Sequence, residues 1–307
     1  MSLKGRDLLS LYDFTKEEIE EFLKAGETLK IKAKIGENSP ILAGKKLGLI
    51  FEKPSTRTRV SFEAAMYELG GHAIYLSSNE LQLKRGETIA DTARVLSRYL
   101  DGIMARVFYH KDIVELAKFA DIPVINGLSD MFHPCQALGD LLTIKEKKGR
   151  LDGIKLTYLG DGNNVCHSLM LGGVKMGMQI VVSTPKGYEP DSEVLNWVKE
   201  DEKKYKGEVL LIEDPVEAIK NSDVVYTDVW VSMGQEDSET KKKVLLPYQI
   251  NEKLVKYAKK DYIFMHCLPA HRGEEVLDEV IDSENSVVFD QAENRLHIQK
   301  GILSLLL

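Results

Sequence analysis

Apolar residues recur along the chain with two different spacings, and the alternation between them outlines the fold. Near the start, Thr15 precedes Lys16, Glu17 and Glu18, and Ile19, Phe22 and Leu23 then return at helical intervals. A hydroxyl followed by acids predicts a helix with Thr15 as its N-cap. Residues 47–51 are a short apolar run of the kind that forms a buried strand. Over residues 60–69, Phe62, Ala65, Met66 and Leu69 fall at i, i+3, i+4 and i+7, and Gly70 stands where a C-cap is expected. Residues 73–76, 102–105 and 123–125 read as further strands, and residues 137–148 as a helix ending at Gly149. The alternation then restarts, with strands predicted at 156–159, 179–182, 209–212, 224–227, 262–265 and 287–289 and a final helix over 292–307.

Strands alternating with helices predict parallel sheets covered on both faces. A chain of 307 residues exceeds what one core usually serves. The expectation is α/β: two doubly wound parallel-sheet domains linked by helices. Residues 1–134 with the C-terminal helix 292–307 make one domain, residues 150–291 the other, and 135–149 the linking helix. No internal repeat or low-complexity segment interrupts the pattern.

Composition narrows the function classes. The net charge is −7, and no basic stripe is present, which argues against a nucleic-acid partner. No apolar run approaches the ~20 residues of a membrane span, so no membrane partner is expected. Cys135, Cys166 and Cys267 are an odd set in a long chain, not a disulfide framework. With no targeting segment evident near Met1, the expected compartment is the cytoplasm.

The sharpest chemical feature is Pro54-Ser55-Thr56-Arg57-Thr58-Arg59, which follows a strand and opens a helix. A helix N-terminus offers unpaired N–H groups and partial positive charge, and guanidiniums add bidentate geometry suited to phosphate. Ligands of parallel α/β sheets sit at the carboxyl ends of strands, where this segment falls. The plainer reading is an N-cap with solvated arginines. Arg106 ends another apolar run and becomes a second clamp beside Arg57. His133 and Gln136 lie before a helix and can donate to a carbonyl or an anion, or simply cap a turn.

In the second half, residues 160–165 resemble a dinucleotide turn, but Val165 occupies the third glycine position and no acid ends the next strand. A tight polar turn aiming Asn163 and Asn164 at a ligand fits better than a nicotinamide site. Asp228 follows a strand and could pair with a substrate ammonium. Ser232 and Gly234 suit a backbone-donating loop, and residues 235–243 suit a lid. His266-Cys267-Leu268-Pro269 ends a strand. Cys166-His167 and His266-Cys267 lack the usual ligand spacings, so no metal is expected.

Together these segments resemble the transcarbamoylase family over nearly the whole chain and in order. Residues 55–59, Arg106 and His133-Pro134-Cys135-Gln136 are similar to its carbamoyl-phosphate site. Asp228-Val229-Trp230-Val231-Ser232-Met233-Gly234, residues 160–164 and residues 266–269 are similar to its ornithine branch.

The resemblance implies a carbamoyl-phosphate-binding domain (1–134 with 292–307) and an ornithine-binding domain (150–291). It implies transfer of the carbamoyl group of carbamoyl phosphate to the side-chain amine of L-ornithine, giving L-citrulline and phosphate. Another amino acid or amine, such as aspartate, acetylornithine or putrescine, is the alternative acceptor. It further implies that Ser55, Thr56, Arg57 and Thr58 hold phosphate. Arg106 clamps phosphate and carbonyl, His133 polarises the carbonyl, and Gln136 fixes the carbamoyl amide. Gln82 reaches in from a neighbouring subunit, Arg295 joins the carbamoyl-phosphate site, and Cys267 and Leu268 border the reacting amine. Asn164, Asp228, Ser232 and Met233 hold ornithine. Arg57, Arg106, His133, Asp228 and Cys267 are the expected catalytic set, with Asp228 and Cys267 both open as orienter or proton acceptor of the amine. No cofactor is implied, and the expected assembly is a homotrimer, or a multiple of trimers, with shared active sites.

Overall fold

The computed structural model describes residues 2–37, 40–78, 81, 86–231 and 238–307. It divides into two units, Met1–Leu142 with Glu293–Leu307, and Thr143–Ala292.

The first unit carries a four-stranded parallel sheet: β1 (Lys46–Phe51), β2 (His72–Ser77), β3 (Gly102–Arg106) and β4 (Val124–Leu128), in the order β2-β1-β3-β4. Helices α1 (Lys16–Lys34), α2 (Thr56–Glu68), α3 (Ile89–Tyr99) and α4 (His110–Phe119) lie between or before the strands. Thr15 caps α1 through a reciprocal box with Glu18, and Ile19, Phe22 and Leu23 are buried, as the spacing predicts. Ile50, Ala93, Ile103, Ala105, Ile113 and Val124 belong to one core cluster of this unit. β1 and β3 are neighbours whose connections leave in opposite directions along the sheet, which makes the gap above their carboxyl ends a topological switch point.

Helix α5 (Pro134–Lys148) carries the chain out of the first unit. The second unit has five parallel strands: β5 (Lys155–Leu159), β6 (Gln179–Ser183), β7 (Glu208–Leu211), β8 (Val224–Thr227) and β9 (Ile263–His266), ordered β7-β6-β5-β8-β9. Its helices are α6 (Asn164–Lys175), α7 (Ser192–Glu202), α8 (Pro215–Ile219), α9 (Ser238–Leu245), α10 (Glu252–Val255) and α11 (Asp278–Ile281). The switch point here lies between β5 and β8. Two parallel sheets, each wound with helices, match the expected fold class.

One expected strand is absent. Residues 287–289 read as a strand because two valines and a phenylalanine stand together, but Val288 opens the final helix α12 (Val288–Leu306) and Phe289 is 72% exposed. Only Ser286 forms a bridge to β9, at Phe264. The final helix therefore starts four residues earlier than its sequence pattern suggests. Its end returns to the first unit, where Gly301 meets Gly26 of α1. A Cβ on Gly301 would stand 2.6 Å from the Gly26 backbone nitrogen, so only glycine permits this approach. Lys30 of α1 also donates to Asn294 Oδ1 at 2.8 Å. Among the described residues, no helix is long and apolar enough to cross a membrane.

Candidate active site

The first constellation gathers at the β1–β3 switch point. Ser55 leaves β1 in extended conformation and caps α2, its hydroxyl oxygen accepting from the Thr58 N–H at 3.3 Å. The first turn of α2 holds no acid, so its positive end is not neutralised from within. Thr56 is exposed, Arg57 half-buried and Thr58 buried. Arg106 ends β3 in register with Phe51 of β1, which brings its guanidinium beside the cap.

Thr58 Oγ1 is a meeting point. Arg106 Nη1 and Arg295 Nη2 each reach it at 3.5 Å. Arg295, from α12, also donates to Gln136 Oε1, and Gln136 Nε2 donates to Asp140 Oδ1 at 2.8 Å. Thr58, Arg106, His133, Gln136 and Arg295 are all buried. His133 stands just before α5. Burial first, and then the charges of Arg295, Arg106 and Arg57, hold its pKa well below the usual imidazole range, so it is neutral at pH 7. Concentrated positive charge over neutral donors is suited to a doubly charged anion with a carbonyl. Arg59 turns away: it pairs with Glu63 at 2.9 Å and stacks 3.8 Å from the Tyr75 ring centroid.

The depressed pKa of His133 has a measurable consequence. In the unfolded chain the ring binds a proton below about its ordinary value of 6.5, whereas the folded chain does so only at lower pH. Between the two values the unfolded state holds the extra proton, so stability falls as pH drops through that window. His133→Gln is expected to lose less Tm than the parent chain between about pH 7 and pH 5 in scanning calorimetry. Equal losses would contradict the buried neutral ring.

The second constellation lies at the β5–β8 switch point, with β9 alongside. Asp228 follows β8 and is buried. Its Oδ1 accepts from the Val229 N–H at 2.8 Å and from Cys267 Sγ at 2.9 Å, and its Oδ2 accepts from Asn163 Nδ2 at 2.7 Å. Asn163 is held in turn: its Oδ1 accepts from the Tyr158 hydroxyl at 3.1 Å and caps α6 through Val165 and Cys166. Asn164 is the first residue of α6 and half-buried. Cys267 and Leu268 are partly buried at the end of β9, and Leu268 has a positive φ of 56° before a cis peptide to Pro269. His266 Nδ1 accepts from the Leu268 N–H at 2.9 Å, which leaves its proton on Nε2, facing Glu275 Oε1 at 3.1 Å. Asp228, His266 and Cys267 are close enough to share a metal ion, but both nitrogens of His266 are already committed, which disfavours one.

Several supporting residues carry no local signal. Asp140 holds Gln136, Tyr158 holds Asn163, and Asn163 touches Asp228. Lys53, half-buried, has its pKa lowered by burial and by Arg106, so it adds to the positive field at the end of β1. Its signal was its place directly before Pro54. Lys241, in the run expected as a lid, lies in α9 and pairs with Asp161 at 2.7 Å. Gln82, Ser232 and Met233, with the rest of 232–237, lie outside the described residues.

Known proteins resemble this chain over its full length. Residues 6–146 match the family model for the carbamoyl-P binding domain of aspartate/ornithine carbamoyltransferase, and residues 152–306 match the model for its Asp/Orn binding domain. The ornithine carbamoyltransferase of Thermococcus kodakarensis is 62% identical over 308 residues, spanning 100% of this chain and 98% of the relative. The solved structure of the Pyrococcus furiosus ornithine carbamoyltransferase superposes with a TM-score of 0.97 at 62% identity, over 100% of this chain and 98% of that one. The ornithine transcarbamoylase of Giardia lamblia, at 36% identity, still gives a TM-score of 0.89 over 98% of this chain and 97% of its own. With both domain models matched in order and relatives aligned end to end, the chain belongs to the aspartate/ornithine carbamoyltransferase family.

Proposed function

We propose that the chain transfers the carbamoyl group of carbamoyl phosphate to the side-chain amine of L-ornithine, releasing L-citrulline and phosphate. The observation that carries the reading is the convergence of Arg106 and Arg295 on Thr58 at the uncompensated N-terminus of α2. Ser55, Thr56, Arg57 and Thr58 bind the phosphate through side chains and N–H groups. Arg106, His133 and Thr58 receive the carbonyl oxygen, Gln136 holds the carbamoyl amide, and Arg295 fixes Gln136 and adds charge.

The neutral amine of ornithine attacks the carbamoyl carbon, an N–C bond forms, and the carbonyl oxygen becomes an oxyanion. Each donor aimed at that oxyanion contributes ~3 kcal/mol in the transition state. The C–O bond to phosphate then breaks, and Arg57 stabilises charge growing on the departing group. Asp228 and Cys267 orient the amine, while Asn164, Ser232 and Met233 join Asp228 in holding the amino acid. Cys267 and Leu268 border the reacting amine and join the residues around the carbamoyl group. The proton acceptor is either Asp228 or Cys267.

Asp228 favours a diamine acceptor over aspartate, which needs basic partners for two carboxylates. Lys241, the first base after Asp228 along the chain, is engaged with Asp161. Supplying carbamoyl phosphate with ornithine, aspartate, acetylornithine, putrescine or lysine in turn, and measuring carbamoylated product and phosphate, tests the assignment. Ornithine is expected to exceed aspartate in kcat/KM by about 10³-fold or more. Comparable phosphate release with aspartate would overturn it.

The working form in this reading is a homotrimer, or a multiple of trimers, in which Gln82 of one copy serves the site of another. Support comes from the edge strand β2 and the neighbouring α2, where Tyr67 is 83% exposed and Val60 and Ile74 are also exposed. The cytoplasm is the proposed compartment, supported by three cysteines that are all free.

A further inference from the structure

The turn after β9 holds a cluster that carbamoyl transfer does not explain. Glu275 is fully buried, and its two oxygens have different surroundings. Oε1 receives two donors, the His266 ring at 3.1 Å and the His271 backbone N–H at 2.5 Å. Oε2 is buried with no hydrogen-bond partner among the described residues. A buried carboxylate oxygen left in this way is costly unless something positive completes it. That oxygen points at His271 Nδ1, 3.9 Å away, too far for a hydrogen bond. Glu274 Oε2 lies 3.8 Å from the same nitrogen, and one ligand atom from each of the three residues falls within 4.8 Å of the others.

We propose that His271, Glu274 and Glu275 form a binding site for a first-row divalent cation such as zinc. In a tetrahedral site with bonds near 2.1 Å, ligand atoms stand roughly 3.4 Å apart, so each carboxylate oxygen needs to approach the imidazole nitrogen by only about 0.5 Å. One imidazole and two carboxylates suit zinc, cobalt or nickel, whereas calcium takes six to eight oxygens. His271 is half exposed, which leaves room for water to complete the coordination. Lys242 of α9 holds Glu274 Oε1 at 2.7 Å. It neutralises part of the cluster from outside while leaving Oε2 for the ion, and so acts as the ion's internal competitor.

The test is titration of the full chain with Zn²⁺ and Co²⁺, followed by equilibrium dialysis and cobalt absorption. One ion is expected to bind per chain, with visible d–d bands and no thiolate charge-transfer band, and Cys267→Ser is expected to keep it. His271→Ala and Glu274→Gln, both on the accessible side of the turn, are each expected to weaken binding by at least about 100-fold, more than loss of an outer-shell partner typically does. Lys242→Met is expected to tighten binding several-fold by releasing Glu274. The proposal is overturned if no saturable binding appears. It is equally overturned if affinity survives His271→Ala, or if the bound cobalt shows thiolate ligation that Cys267→Ser abolishes.

Discussion

Arg57→Ala is expected to lower kcat/KM for carbamoyl transfer about 10³-fold, the scale of losing a group that stabilises transition-state charge. Arg57 is half-buried in the first turn of α2, and burial, Arg295, Arg106 and then its own charge together lower the pKa of the buried His133 ring. Truncating a half-exposed arginine in the first turn of a helix costs the fold little, typically within ~0.5 kcal/mol. Tm is therefore expected to stay within a few degrees of the parent value while turnover collapses. Arg59, two residues on, supplies an internal comparison, because its guanidinium is spent on Glu63 and Tyr75. Arg59→Ala is expected to cost at least an order of magnitude less in steady-state assays. Near-normal turnover in Arg57→Ala would remove the phosphate site from α2.

The second large effect lies at Asp228. Three donors converge on its two oxygens: the Val229 N–H, the Cys267 thiol and the Asn163 amide. Asparagine has the same shape but only one acceptor oxygen, so at least one of these donors would face an NH₂ group. The negative charge that selects an amine is lost as well. Asp228→Asn is expected to lower kcat/KM for ornithine by about 10²–10³-fold, in proportion to one lost charge-assisted partner. Binding of carbamoyl phosphate alone, read by calorimetry, is expected to change little, because the residues proposed to hold its phosphate, Ser55 to Thr58 and Arg106, lie in the other unit. Loss of both together would mean that Asp228 supports the fold rather than the amine.

These two sites differ in how far the sequence reveals them. Residues 55–59 are legible because a strand exit, a cap and a helix N-terminus are contiguous, and each has its own residue preference. The partner that completes the cluster does not share that advantage: Arg295 reaches Thr58 from 237 residues away and Gln136 from 159. Only the family resemblance pointed to it. In the second unit, two adjacent asparagines look equivalent on paper, and the capping geometry of α6 decides that Asn163 turns to Asp228. Asp140 and Tyr158 act through other side chains and leave no mark in local pattern. The strand expected at 287–289 failed for a related reason. Three apolar residues fit a strand or a helix start equally well, and what settles the choice lies further along the chain, in the continuous helix to Leu306.

The return of the final helix to the first unit sets an order for synthesis. Residues 143–292 are contiguous, so the second unit needs neither end of the chain to complete its sheet and core. The first unit emerges earlier but cannot seat the Gly26–Gly301 contact, or pair Lys30 with Asn294, until residues 293–307 have left the ribosome. At ~5–20 residues per second it waits many seconds for its last helix, with the apolar face of α1 uncovered. The same wait applies to the phosphate pocket, since Arg295 rides on that helix. A chain truncated after residue 292 would thus keep the second unit contiguous and leave the anion site short of one of its arginines.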